Sequence, residues 1–87
     1  MRRSLASRRR EAVNMVKAVV LVMLEPQTFE DANKINKIPG VVNGFLVFGH
    51  YDFVAFLDVP GLEKVGQIAD KIQKLGFVRY VETLIER

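Results

Sequence analysis

The strands of this chain are apolar on both faces, and only two helices are available to cover them. In residues 18–24, Ala18, Val20, Val22 and Leu24 alternate with Val19, Leu21 and Met23, and Phe53-Val54-Ala55-Phe56-Leu57 repeats the pattern. A strand with one wet face alternates apolar and polar residues, so unbroken apolar runs call for burial on both sides. Two helices of about a dozen residues shield one face of a small sheet. The other face needs a partner, which makes the chain a building block of an oligomer.

The elements follow from propensity and punctuation. A Val-rich first strand is expected over about 17–25. Thr28 is a candidate N-cap with Asp31 three residues on, and the helix it opens runs to about Ile38, facing the core with Phe29, Ala32, Ile35 and Ile38. Pro39-Gly40 stops it. A second strand covers about 41–48; Asn43-Gly44 is a hairpin signal taken alone, but Val41-Val42 is too short a partner strand, so a bulge or strand start is expected there. Gly49-His50-Tyr51-Asp52 turns into a third strand over about 51–59, broken by Pro60-Gly61. The second helix, about 62–75, puts Leu62, Val65, Ile68, Ala69, Ile72 and Leu75 on one face. Gly76 ends it, and a fourth strand covers about 77–85.

The order is βαββαβ, with two similar halves. Right-handed crossovers then give an α+β, ferredoxin-like fold: a four-stranded antiparallel sheet carrying both helices on one side. The uncovered face projects to roughly 300 Å², from strands spaced ~4.8 Å apart. That matches the largest apolar patches of monomers. A second sheet packed face to face covers it best, so a dimer through the sheets is expected.

Composition narrows the function classes. Eighty-seven residues, 49 % hydrophobic, make one small domain. Residues 1–14 form a basic extension with five arginines against one glutamate, and the domain proper, residues 15–87, carries eight basic and nine acidic side chains. Only the extension is basic, so the domain offers no electrostatic footprint for nucleic acid, and direct DNA binding is not expected. No apolar run is long enough to span a membrane. With no cysteine and a single histidine, neither a thiolate nor a histidine-rich metal site can be built from one chain, and no cofactor is expected.

Catalytic groups are scarce. Ser4 and Ser7 lie in the extension, His50 and Asp52 sit in a turn, and no glycine-rich phosphate loop is present. The carboxylates Glu25, Glu30, Asp31, Asp58, Glu63, Asp70 and Glu86 lie mostly at helix starts or on wet faces, which assigns them to capping and solubility. Phe45, Phe48, Phe53 and Phe56 lack the neighbouring Lys and Arg of an RNA-stacking sheet and read as interface core. The chain is not expected to be an enzyme. What remains is the Gly49–Asp52 turn. Exposed backbone N–H groups beside one carboxylate can hold the two charged ends of an α-amino acid, N–H groups on its carboxylate and Asp52 on its ammonium. The alternative is a tight turn in which Asp52 caps its own backbone.

Ile38-Pro39-Gly40-Val41, Phe48-Gly49-His50-Tyr51-Asp52-Phe53, Gly76-Phe77-Val78 and Glu82-Thr83-Leu84-Ile85 together resemble the effector-binding (RAM) domain of the Lrp/AsnC feast/famine regulators, over essentially all of residues 16–87. The resemblance implies a cytoplasmic transcription-regulation module that dimerises through its sheets. The dimers assemble into rings, commonly octamers, with amino-acid or related small effectors bound between dimers. By position, the ligand-binding residues would be Gly49, His50, Tyr51 and Asp52 in the turn and Val81 and Thr83 on the last strand. The family often has small hydroxyl residues where this chain has Tyr80 and Val81, a change that removes polar ligand contacts. Full-length members carry a helix-turn-helix domain that fourteen residues cannot supply. The implied roles are therefore a stand-alone effector-binding module that co-assembles with full-length regulators, or a structural partner that modulates their assembly without a ligand. The remaining alternative, a small dimeric ferredoxin-like enzyme, would need polar side chains in a pocket between sheet and helices, and the strands offer almost none.

Overall fold

The computed structural model describes residues 15–86; the basic extension, residues 1–14, lies outside them. Four strands and two helices follow in the expected order: β1 (Val16–Leu24), a 3-10 helix (Phe29–Lys37), β2 (Val41–Leu46), β3 (Phe53–Val59), α1 (Leu62–Gln73) and β4 (Val78–Ile85). The sheet runs β2-β3-β1-β4 and is antiparallel throughout. The sequence therefore folds into the ferredoxin-like α+β architecture read from its pattern. No helix among the described residues is long and apolar enough to cross a membrane.

One face of the sheet holds the core. Ala18, Val20, Val22 and Leu24 of β1 and Phe53, Ala55, Leu57 and Val59 of β3 are buried beneath Ala32 and Ile35 of the 3-10 helix and Val65, Ile68 and Ile72 of α1. Register places the remaining strand positions on the opposite face. Lys17 pairs with Asp58, Val19 with Phe56 and Leu21 with Val54, while Leu84, Glu82 and Tyr80 stand beside Val19, Leu21 and Met23. Neither helix touches that side.

The first helix departs from expectation in type. Asp31 N–H donates to Thr28 O at 2.9 Å and Ile38 N–H to Ile35 O at 3.1 Å, the three-residue closure of a 3-10 helix. Its apolar residues Phe29, Ala32 and Ile35, with Ile38 just beyond its end, are spaced by strict threes. At about 100° per residue an α-helix would swing Phe29 and Ile35 about 120° apart, whereas three residues per turn stacks Phe29, Ala32 and Ile35 along one line. Even so, Phe29 at the open end is half exposed.

Two other expectations are corrected. Thr28 holds the N-cap position, but its side chain makes no capping bond; its hydroxyl donates to Glu25 O at 2.6 Å, closing the loop that leaves β1. Leu62 is 60 % exposed rather than part of the buried stripe, because it opens the first turn of α1, before the helix reaches the sheet.

At β2 the anticipated irregularity is present. Val41 opposes Leu57 but Asn43 opposes Phe56, so Val42 is the extra residue of a bulge. Gly44 then lets the first helix approach. The space a Cβ would fill there is taken by the Phe53 ring, 2.8 Å away, and by the Asn36 side chain. Asn36 Nδ2 in turn donates to Gly44 O at 3.1 Å.

Candidate functional site

The β2–β3 turn is built by hydrogen bonds that the local sequence does not announce. Val47 N–H donates to Asp52 O and Asp52 N–H donates to Val22 O, both at 2.9 Å. Leu24 N–H donates to Asp52 Oδ2 at 2.8 Å. The Asp52 carboxylate thus stands in for a ladder carbonyl where β1 outruns β3. Gly49 adopts φ +138° with open space around it, so glycine is required there for backbone conformation and not for room.

These contacts leave polar groups in hand. The backbone N–H groups of Phe48, Gly49, His50 and Tyr51 find no acceptor among the described residues, and Asp52 Oδ1 accepts no hydrogen bond there. Beside them lies a cavity of about 250 Å³ lined by Phe29, Leu46, Val47, Phe48, Gly49 and Asp52. Its walls are mainly apolar, and Phe48 at its rim is fully exposed.

The six site residues expected from the sequence do not converge within one chain. Gly49 and Asp52 share the cavity. His50 packs edge-on against Tyr51, ring centroids 5.3 Å apart. The Tyr51 hydroxyl reaches across β1 to donate to Glu82 Oε1 at 2.5 Å. That bond, with the negative charge of Glu82 adding, pushes the phenol up to about 12. Val81 and Thr83 pair with Val22 and Val20, which puts them on the helix side of β4, away from Glu82, and they line neither this cavity nor the larger one on the open face.

Phe29, Leu46 and Phe48 complete the cavity and were not singled out as site residues. The signal was present in Phe48, a large apolar side chain directly before a turn glycine, where a hydrated turn would favour a polar residue.

The βαββαβ sheet, the Gly-x-Tyr-Asp turn and a family model together decide the assignment: the model for the Lrp/AsnC ligand binding domain matches residues 17–86. The chain belongs to the Lrp/AsnC family. Solved structures agree with this Lrp/AsnC fold. TTHA0845 from Thermus thermophilus is 26 % identical with a TM-score of 0.78, over 83 % of this chain and 92 % of its own. FFRP-DM1 is 24 % identical with a TM-score of 0.76, over 83 % of this chain and 99 % of its own. The L-Met complex of the transcriptional regulator NMB0573 from Neisseria meningitidis is 17 % identical with a TM-score of 0.75. It aligns over 88 % of this chain, which spans only 53 % of that regulator. No curated protein matches the sequence. The Lrp/AsnC family is one of transcription regulators.

Proposed function

We propose that this domain binds an amino acid or a related small zwitterion at the β2–β3 turn and acts by changing how its copies assemble. The observation that carries this reading is the pairing of unanswered polar groups in the turn: a run of backbone N–H groups without acceptors among the described residues, and an Asp52 carboxylate with one oxygen used by Leu24 and the other unused there. An α-carboxylate fits the first and an α-ammonium the second. The apolar cavity formed with Phe29, Leu46 and Phe48 suits an apolar side chain, and the L-Met complex of the Neisseria regulator makes methionine the natural first probe.

Assembly enters through the sheet. Copies dimerise by their open faces, and dimers join further through the turn region, where Phe48 is bare. Val81 and Thr83 reach a ligand only as the contribution of a neighbouring copy. The effector favours one assembly state through its greater affinity for that state.

Calorimetry with the standard amino acids tests the reading, using Asp52→Asn as the diagnostic variant. Asparagine keeps an oxygen for the Leu24 N–H but removes the charge, so stability holds while binding weakens at least about tenfold, the scale of a lost charge-assisted contact. No heat from any amino acid, or undiminished binding by the variant, removes the sensor role. Bare Phe48 also supports a second reading, a partner that alters assembly of related regulators by contact alone. Co-purification with such a regulator without any small-molecule response would select it.

A further inference from the structure

Among the described residues, one buried side-chain polar atom has no hydrogen-bond partner, and it lies far from the β2–β3 turn. It is Asp58 Oδ1, on β3. Asp58 pairs in register with Lys17 on β1, and both project from the open face. The sequence placed Asp58 among hydrated carboxylates; the structure sets it instead against a cavity of about 540 Å³ whose walls include Val19, Val42, Phe56 and Leu84. A carboxylate oxygen shut away from water without a donor is costly. Lys17 stands beside it yet forms no ion pair among the described residues. On the four strands the only basic residues are Lys17 and Arg79, and the only acidic ones are Asp58 and Glu82. Glu86, just past β4, lines the same cavity and donates its N–H to Lys17 O at 2.9 Å, but its side chain lies at the exposed end of the strand. Glu82 is held by Tyr51.

The geometry points to a polar lock between two copies: Lys17 of one chain answers Asp58 of the other, twice, across the sheet-to-sheet contact. A two-fold interface makes every contact reciprocal, so a cation and an anion side by side on a mainly apolar surface complement their own image. Rotation about the terminal torsion of Asp58 exchanges its two oxygens, so either can meet the incoming ammonium. The apolar residues of the face supply attraction without orientation, and the doubled charge pair fixes which of the many ways of stacking two greasy sheets is adopted. The cavity is the space into which the partner's Lys17 stem enters. This inference rests on the proposed dimer through the open face and adds the residues that set its register.

Charge exchange tests it, read as dimer dissociation constants by sedimentation, with circular dichroism to verify folding. The wild-type chain is expected to dimerise at micromolar concentration; a monomer there would sink the dimer itself. Lys17→Glu and Asp58→Lys each place like charges together, and each is expected to weaken self-association at least about tenfold. Mixed in equal amounts, the two variants regain wild-type affinity as a heterodimer, because each restores the other's pair. Singles without effect, or a mixture without recovery, would leave the dimer standing but overturn the lock. A second measurement is independent of whether Asp58→Lys folds. The chain has no cysteine, so Lys17→Cys copies mixed with Asp58→Cys copies should be joined as heterodimers by a bis-maleimide with a reach of about 10 Å, the spacing of two packed sheets. Failure of that reagent to cross-link a verified dimer also refutes the lock.

Discussion

The two faces of this sheet are made of nearly the same residues and live in different surroundings. On the helix side, Val20 and Val22 are completely buried and Phe53 nearly so. On the other side Phe45, Tyr80 and Leu84 are each about half exposed, at 47 %, 49 % and 49 %, and Phe45 stacks obliquely on Phe56 with centroids 5.8 Å apart. The first face is explained by the chain's own helices. The second has the chemistry of a core and none of the cover. A face needed only by the folded monomer would tolerate polar residues, so its apolarity speaks for an association that the monomer does not contain.

The contrast is sharpened by substituting on each side. Phe53→Ala removes a buried ring that touches the first helix and β2, and is expected to cost about 3–5 kcal/mol in denaturant unfolding. Leu21→Lys, on the open side, is expected to leave far-UV circular dichroism unchanged while weakening dimerisation about a hundredfold, since burying an ammonium there adds to the lost leucine contact. If Leu21→Lys unfolded the chain without first dissociating it, the two faces would not be separable in this way. A smaller loss is expected of Gly44→Ala on the helix side. The added methyl meets Phe53 and Asn36, so a loss of about 1–3 kcal/mol is expected from overpacking. The loss should be smaller in an Asn36→Ala background, where one of the two obstacles is gone.

How far these features were legible in the sequence depended on how local their cause is. Strand positions and the bare face could be read because period-2 apolar runs such as Ala18–Leu24 report burial directly. The type of the first helix was not legible, because the three-residue spacing of Phe29, Ala32, Ile35 and Ile38 also belongs to an α-helical pattern and does not distinguish the two by itself. Thr28 was a reasonable cap by type, yet its hydroxyl was drawn to Glu25 by a loop closure outside the helix. The roles of Asp52 and Asp58 were beyond reach. One depends on Leu24, distant in sequence, and the other on the register that buries it beside Lys17. Of the candidate site, the turn was visible as Gly-x-Tyr-Asp, while Val81 and Thr83 were separated from it by the parity of β4, which only the pairing with β1 fixes.

The smallest expected effect concerns a polar tie on the open face that is complete within a single chain. Tyr51 donates to Glu82 across β1, and its hydroxyl is held at about 12 against an ordinary 10.0, through that hydrogen bond first. A raised folded-state value means that the native protein keeps this proton more tightly than the unfolded chain does. Its contribution is therefore intact below pH 10 and is lost as the pH climbs toward 12. In a Tyr80→Phe background, ultraviolet titration of the remaining tyrosine should give a midpoint near 12, and Glu82→Ala should bring it back toward 10.0. The bond lies on the surface of the monomer, so Tyr51→Phe should hardly change unfolding stability. Ordinary titration of Tyr51 would mean that the tie is not held. The open face would then carry Glu82 as a second unanswered carboxylate beside Asp58, and a partner sheet would have two charges to satisfy instead of one.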